Sequence, residues 1–238
     1  MGETRAELPF TGDQVGLFRA QPGRPKPTCN PLGGAEGTLL TILLTVVTMA
    51  IAVPAGIVIA MMWLSGVRLL ASAAAAYVEF FRNLPLILVV YRAYYVMPVA
   101  LDVQFTGFTT GLVGLCLNVS AYNSETFRAG IGSIRKGQTE AALALGLSRW
   151  QVMREIVLPQ ATRRVLPVLA STWVSLFKDT SLVSVIAVGE LAYTAMGIRS
   201  QTFRVLEMLT AMVAIYWALG YPQAKLVDWL HRRFGVTE

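Results

Sequence analysis

Charge is scarce in this chain: only 14% of its 238 residues are Asp, Glu, Lys or Arg. An ordinary soluble domain carries about 25%, so a normal polar surface is excluded. There is one histidine, His231, and the two cysteines, Cys29 and Cys116, stand far apart. That spacing excludes an obvious metal centre and a disulfide framework. No nucleophile–base pair stands out, and no cofactor is expected. The chain lacks a Gly-x4-Gly-Lys-Ser/Thr phosphate loop, so it is not expected to hydrolyse ATP itself. Residues 1–36 are polar without an early apolar run, which argues against a cleaved signal peptide. The net charge of +6 would suit nucleic acid, but in so apolar a chain its distribution matters more than its total. No nucleic-acid partner is expected.

What the chain has instead is hydrocarbon: 55% of it is hydrophobic, in runs long enough to cross a membrane. The first span is read at 38–64, with Pro54 inside it and Gly56 and Ala60 as a small-residue pair for close helix packing. A short amphipathic link with Arg68, Glu79 and Arg82 follows, Glu79 and Arg82 being read as a structural pair. The second span is 84–100, interrupted by Arg92. The third is 109–131, preceded by the packing pair Gly107 and Gly111, with Glu125 and Arg128 near its inner end to brace the following loop. The fourth, 165–188, carries Lys178-Asp179 in its interior, and the fifth is 206–226. The fold class is therefore an all-α membrane protein with five spans. Residues 1–36 form a polar, extracytoplasmic extension, and 37–238 form the membrane domain.

Orientation follows from the links. Arg135, Lys136, Arg149, Arg154, Arg163 and Arg164 crowd the link between the third and fourth spans, and Lys225, Arg232 and Arg233 mark the C-terminal end. The link after the second span has Asp102 and no Lys or Arg, and the last outer link has only Arg199 and Arg204. The positive-inside rule places the basic link and the C-terminus in the cytoplasm, and the N-terminus outside.

That basic link, about 137–160, reads GQTEAALALGLSRWQVMREIVLP up to Pro159. Good helix formers over 138–145 predict a helix. Gly146 permits a bend, and Ser148 with Gln151 forms a capping-box signature for a second helix. Pro159 is expected to end that helix or turn the chain out of it. The stretch resembles the EAA loop of the permease subunits of ABC-type importers, pattern EAA-x3-G-x9-I-x-LP, through Glu140, Ala141, Ala142, Gly146, Ile156, Leu158 and Pro159. Three further blocks are similar to the polar amino acid permeases of the histidine and glutamine type. One is Tyr77-Val78-Glu79 with Arg82 to Leu86, where Asn83-Leu84 replaces the usual Gly-Thr. The second is Ala121-Tyr122 with Glu125 and Arg128, and the third is Lys178-Asp179-Thr180-Ser181-Leu182.

This resemblance implies a type I ABC importer permease fold whose loop is a coupling helix that docks on a cytoplasmic ABC ATPase. Leu143, Leu147 and Trp150, at i, i+4 and i+7, would be the docking ridge. The implied partners are ATPase subunits, a second permease subunit (identical or homologous), an extracytoplasmic binding protein, an amino acid substrate and membrane lipid. The implied location is the bacterial inner membrane. Charges at mid-membrane depth are costly unless paired, hydrated or facing a cavity. Two readings of Lys178 and Asp179 therefore stay open. They line a substrate path with Thr180, Ser181 and Arg92, the lysine holding a carboxylate and the aspartate an ammonium; or Asp179 bridges to Arg92 or to the partner permease and locks helices. Rival functions are an ion-coupled carrier using Asp179, a scaffold that only recruits an ATPase, and an importer of another small polar solute.

Overall fold

Backbone buried in hydrocarbon has to satisfy its own hydrogen bonds, and helices do so within one segment. The computed structural model describes residues 33–102 and 105–234, and among these every regular element is helical. The readings that fall on 1–32, Cys29 included, lie outside the described residues. In chain order the helices are α1 (Gly33–Trp63), α2 (Arg68–Asn83), α3 (Leu86–Tyr95), α4 (Met97–Leu101) and α5 (Gly107–Gly132). They continue with α6 (Lys136–Ala144), α7 (Arg149–Gln151), α8 (Leu158–Asp179), α9 (Leu191–Thr202) and α10 (Val205–Phe234).

Helix α5 is the axis on which α1, α2, α3 and α8 pack. Helix α1 runs alongside it, and Gly56 is what lets the two approach: a Cβ there would stand 2.7 Å from the Asn123 Cβ. Ala60, the other member of that small-residue pair, is buried too. The second pair works in the same way, Gly107 and Gly111 resting on Ile186 and Val183. Threonine hydroxyls on the buried face of α1 bond back along the helix, Thr45 Oγ1 donating to the Thr41 carbonyl at 2.8 Å. Thr41 and Thr45 thus reach the core with their hydroxyls satisfied, whereas the equally buried Thr48 hydroxyl has no partner among the described residues. Leu44, Val90, Leu115, Leu176 and Val183 fill the space between α1, α3, α5, α8 and the turn after it.

Three sequence expectations are corrected. The stretch after the first span is not a short link but the 16-residue amphipathic helix α2, which meets α3 at a 105° elbow. Pro85 makes that elbow: it lacks an N–H and holds Leu84 extended at φ −95°, ψ 137°. The Phe81 carbonyl at the elbow is satisfied by Asn118 Nδ2 at 3.0 Å. Second, the fourth span is broken. Helix α8 ends at Asp179, a 3-10 segment runs over Thr180–Ile186, and Ala187 turns left-handed at φ 60°. Lys178 and Asp179 therefore sit at a helix end, not inside an uninterrupted span. Third, the last outer link is largely the helix α9, inclined by 49° to the segment before it.

Two helices, Gly34–Trp63 and Val205–Arg233, are long and apolar enough to cross a membrane alone, and up to four segments are if each bent pair is one span. Helix α5, with 26 residues, has the length, but Asn118, Ser120, Asn123, Ser124, Glu125 and Arg128 dilute its apolar character. The fifth helix of the sequence reading is present and longer than 206–226, with Pro222 inside it.

Glu190, which the sequence reading passed over, closes the broken span. Its side chain is 0% exposed, and its carboxylate accepts from the N–H groups of Ala192 (2.9 Å) and Tyr193 (2.8 Å). It also accepts from the Tyr216 hydroxyl at 3.2 Å. Thr41 Oγ1 in turn accepts from the Leu191 N–H at 3.2 Å. One buried carboxylate thus caps α9 and ties it to α1 and α10. Glu190→Ala would strand two N–H groups and a hydroxyl, so a loss of about 2–4 kcal/mol is expected. A fall in the thermal unfolding midpoint of the purified protein checks it, and Glu190→Gln, which keeps an acceptor, is expected to fall less.

Candidate functional site

The polar connection between α5 and α8 is a rigid projection. Helix α6 ends at a left-handed glycine, Gly146 at φ 85°, a conformation that costs a residue with a Cβ about 1–2 kcal/mol. The Gly146 N–H donates to the Leu143 carbonyl at 3.0 Å and the Leu147 N–H to the Ala142 carbonyl at 3.2 Å. This is the Schellman pairing, and it brings Leu147 back against Ala142. Ala142 and Leu147 accordingly share a small core with Ile134, Val152 and Val157. The next turn opens with the capping box the sequence predicts: Ser148 Oγ accepts from the Gln151 N–H at 3.3 Å, and Gln151 Oε1 accepts from the Ser148 N–H at 2.9 Å.

Pro159 does not end this segment, which corrects the sequence expectation. Residues Val152–Val157 form a π-helical turn, in which the Leu158 N–H reaches the Met153 carbonyl five residues back. Pro159 follows directly on that π-turn as the second residue of α8; it brings no N–H to the helix, yet the helix continues past it. The chain therefore runs without interruption from Ser148 to Asp179. Side chains clamp the base of the projection, with Gln160 Nε2 on Gln138 Oε1 at 2.7 Å and Arg164 on the Ser133 carbonyl at 2.7 Å.

The exposed apolar edge of the projection differs in one member from the three residues that the sequence count puts on one face. The i, i+4, i+7 count assumes one helix, but Gly146 breaks it and Leu147 folds inward. Leu143 (39% exposed) and Trp150 (66%) remain outward, and Leu145, at 84%, joins them. The signal for Leu145 was its position just before a left-handed glycine, where the final helical residue is left at the tip. Glu140 and Ala141 are exposed on α6. Glu140 and Leu143 also line a groove of about 530 Å³ shared with Lys136, Arg149, Val152 and Met153.

A second groove, of about 440 Å³, lies between the α2–α3 elbow, α5 and α8. Asp179 lines it together with Asn118, Tyr122, Ser171, Thr172 and Ser175. Of the five residues proposed from sequence for a substrate path, only Asp179 faces this space. Lys178 is exposed elsewhere on the helix end. Thr180 and Ser181 donate their hydroxyls to the carbonyls of Phe177 (2.8 Å) and Lys178 (2.7 Å), serving the 3-10 turn. Arg92 lines a different, apolar groove of about 620 Å³ with Phe80, Leu88 and Met97. The residues missed were legible as a period: Ser171, Ser175 and Asp179 recur every four positions on one face of α8, as Asn118 and Tyr122 do on α5.

Among the described residues the ion pairs all converge on Glu125, from Arg82 at 4.0 Å and from Arg128. Asp179 thus makes no bridge to Arg92. Arg82 does not pair with Glu79 as the sequence suggested; it leans over the Tyr122 ring at 5.5 Å and reaches across to α5. Arg128 lies over the Trp63 ring at 4.7 Å. The cluster therefore braces α1, α2 and α5 against each other, not the loop beyond.

A membrane bundle with broken helices, a polar lateral groove and a stiff, apolar-tipped projection between two spans is the architecture of an ABC importer permease. The chain belongs to the family described as binding-protein-dependent transport system inner membrane component, whose model matches residues 52–236. It is similar to the probable amino-acid ABC transporter permease protein YckA of Bacillus subtilis (strain 168), at 37% identity covering 84% of this chain and 88% of that one. It is 34% identical to the glutamine transport system permease protein GlnP of Escherichia coli (strain K12), covering 84% of this chain and 92% of that one. Among solved structures, an amino acid ABC transporter crystallised with histidines superposes with a TM-score of 0.79 at 32% identity, covering 84% of this chain and 94% of that one. The methionine ABC transporter MetNI, at 17% identity and a TM-score of 0.67, covering 85% and 99%, shares the fold.

The turn itself is testable. Gly146→Ala adds a Cβ that meets no neighbour within 4 Å, so its effect is backbone strain alone. Limited proteolysis across the turn is expected to speed up in Gly146→Ala and less in Gly146→Asn, because Asn tolerates the left-handed conformation.

Proposed function

We propose that this chain is the membrane-spanning permease subunit of an ATP-driven amino acid importer, forming part of the translocation path and linking it to a separate ATPase. The observation that carries the reading is continuity. The exposed tip at Leu145 and Trp150 is held by a Schellman turn and a capping box, and runs on through α8 to Asp179 at the polar groove. A push on the tip is thereby delivered to the groove as movement of one body. Two permease subunits, identical or homologous, would enclose the path. ATPase subunits bind the tips from the cytoplasm, and an extracytoplasmic binding protein delivers the cargo. The N-terminus is outside and the C-terminus inside, as the basic links require.

In this reading ATP-driven closure of the ATPase pair draws the two tips together and tilts the spans to open outward, and hydrolysis resets them. No bond is made or broken in this chain; its contribution is packing. Asp179 receives the α-ammonium of the cargo, and the Ser171 and Ser175 hydroxyls and the Tyr122 phenol supply neutral hydrogen bonds. Lys178, exposed on the same helix end, stands where a second subunit or the cargo carboxylate can be met.

Two variants separate the halves of the reading in proteoliposomes holding the co-expressed complex. Leu145→Ala with Trp150→Ala is expected to weaken ATPase binding about a hundredfold, as the loss of two exposed apolar anchors does at other interfaces. Asp179→Asn is expected to lower uptake by about tenfold or more while ATPase recruitment persists. Unchanged uptake in Asp179→Asn would remove that residue from the path.

A further inference from the structure

The projection is not only a knob. Behind its tip lies the groove of about 530 Å³, walled by the end of α5, by α6 and by the π-helical turn. Its floor belongs to the small buried core: Ile134, Val152 and Val157 are each less than a tenth exposed. The depression is therefore preformed and stiff, within the size range of sites that receive a side chain or small ligand, roughly 300–1,000 Å³. Its rim carries Lys136, Arg149 and Glu140, none of them in an ion pair among the described residues. The groove adjoins Leu143, so it is continuous with the outward apolar tip.

We propose that this groove is a socket for the ATPase: an apolar side chain of the ATPase, flanked by an acidic residue, inserts between Lys136 and Arg149 while the tip at Leu145 and Trp150 inserts into the ATPase. The inference rests on the coupling reading above and adds reciprocity to it. A knob alone resists pushing but separates under pulling; a knob beside a filled socket transmits both strokes of the cycle. The net positive rim selects an acidic neighbour for the inserted side chain, and the apolar floor excludes a charged one, because an unpaired charge would be desolvated there. A lipid chain, a free amino acid or another copy of this chain are the other possible occupants, and the test separates them from the ATPase.

Gly132 gives a clean way to fill the socket. It lines the groove, and a Cβ built on it meets nothing within 4 Å. The experiment measures the affinity of the purified ATPase for the complete permease in nanodiscs, with Gly132→Ala and Gly132→Trp. Gly132→Ala is expected to bind as the parent, and Gly132→Trp about tenfold more weakly. To exclude a folding effect, Gly132→Cys in a Cys29→Ser, Cys116→Ser background is labelled with a bulky maleimide after purification, before the ATPase is added. Labelling is expected to produce the same loss. If both plugged proteins bind the ATPase like the parent, the occupant is something else and the socket is wrong. Leu145→Ala with Trp150→Ala serves as the control on the underlying reading. Loss in that variant with none in the plugged proteins overturns the socket alone, and no loss in any of them overturns the coupling reading as well.

Discussion

A helix broken inside a membrane leaves carbonyls and N–H groups that neither water nor lipid will satisfy. This chain breaks at several points, and the internal partners at those breaks set its architecture. At the Pro85 elbow the partner is Asn118, reaching the Phe81 carbonyl. At the base of the projection it is the π-turn itself, which hands the Leu158 N–H to Met153. At Ala187 it is Glu190, whose buried carboxylate takes the first N–H groups of α9. Those partners allow the backbone to bend where the polar groove and the projection need it, while α5 runs unbroken from Gly107 to Gly132.

The breaks also define what moves together. From Ser148 to Asp179 the chain stays helical, through the π-turn and past Pro167 inside α8, so the projection and the α8 face of the polar groove belong to one continuous segment. Beyond the far end of the same segment, Glu190 ties the chain to α1 and α10. In the proposed coupling a push on the projection turns this segment about its tie at Glu190, and Asp179 lies between the two. The Glu125 cluster holds α1, α2 and α5 together beside it.

Much of this was legible in the chain. The apolar runs and the Glu140–Pro159 pattern carry the fold class and the projection, and the Ser148–Gln151 box is legible to the residue. What the sequence hid is of two kinds. Where a helix break depends on a partner far along the chain, local pattern cannot announce it: Glu190 reads as an ordinary acid until Tyr216 and Thr41 are brought beside it. Where a helical count was carried through Gly146, it failed, because the left-handed turn sends Leu147 inward and leaves Leu145 at the tip. Lys178, Thr180 and Ser181 look like a polar cluster in sequence, yet adjacent residues on a helix point about 100° apart, and only Asp179 meets the groove. The hydroxyl stripe of Ser171 and Ser175 was present as a four-residue period inside an apolar run and was outweighed by it.

In the proposed function, ATP hydrolysis by a separate subunit drives cargo through this chain's groove by way of its projection. The most direct measurement is amino acid uptake into proteoliposomes holding the whole complex and binding protein, with ATP present or absent inside or outside and with ion gradients collapsed. Uptake is expected to require ATP on the side of the projection and to be indifferent to the ion gradients. Uptake that proceeds without ATP and follows an imposed proton or sodium gradient would contradict the proposed function.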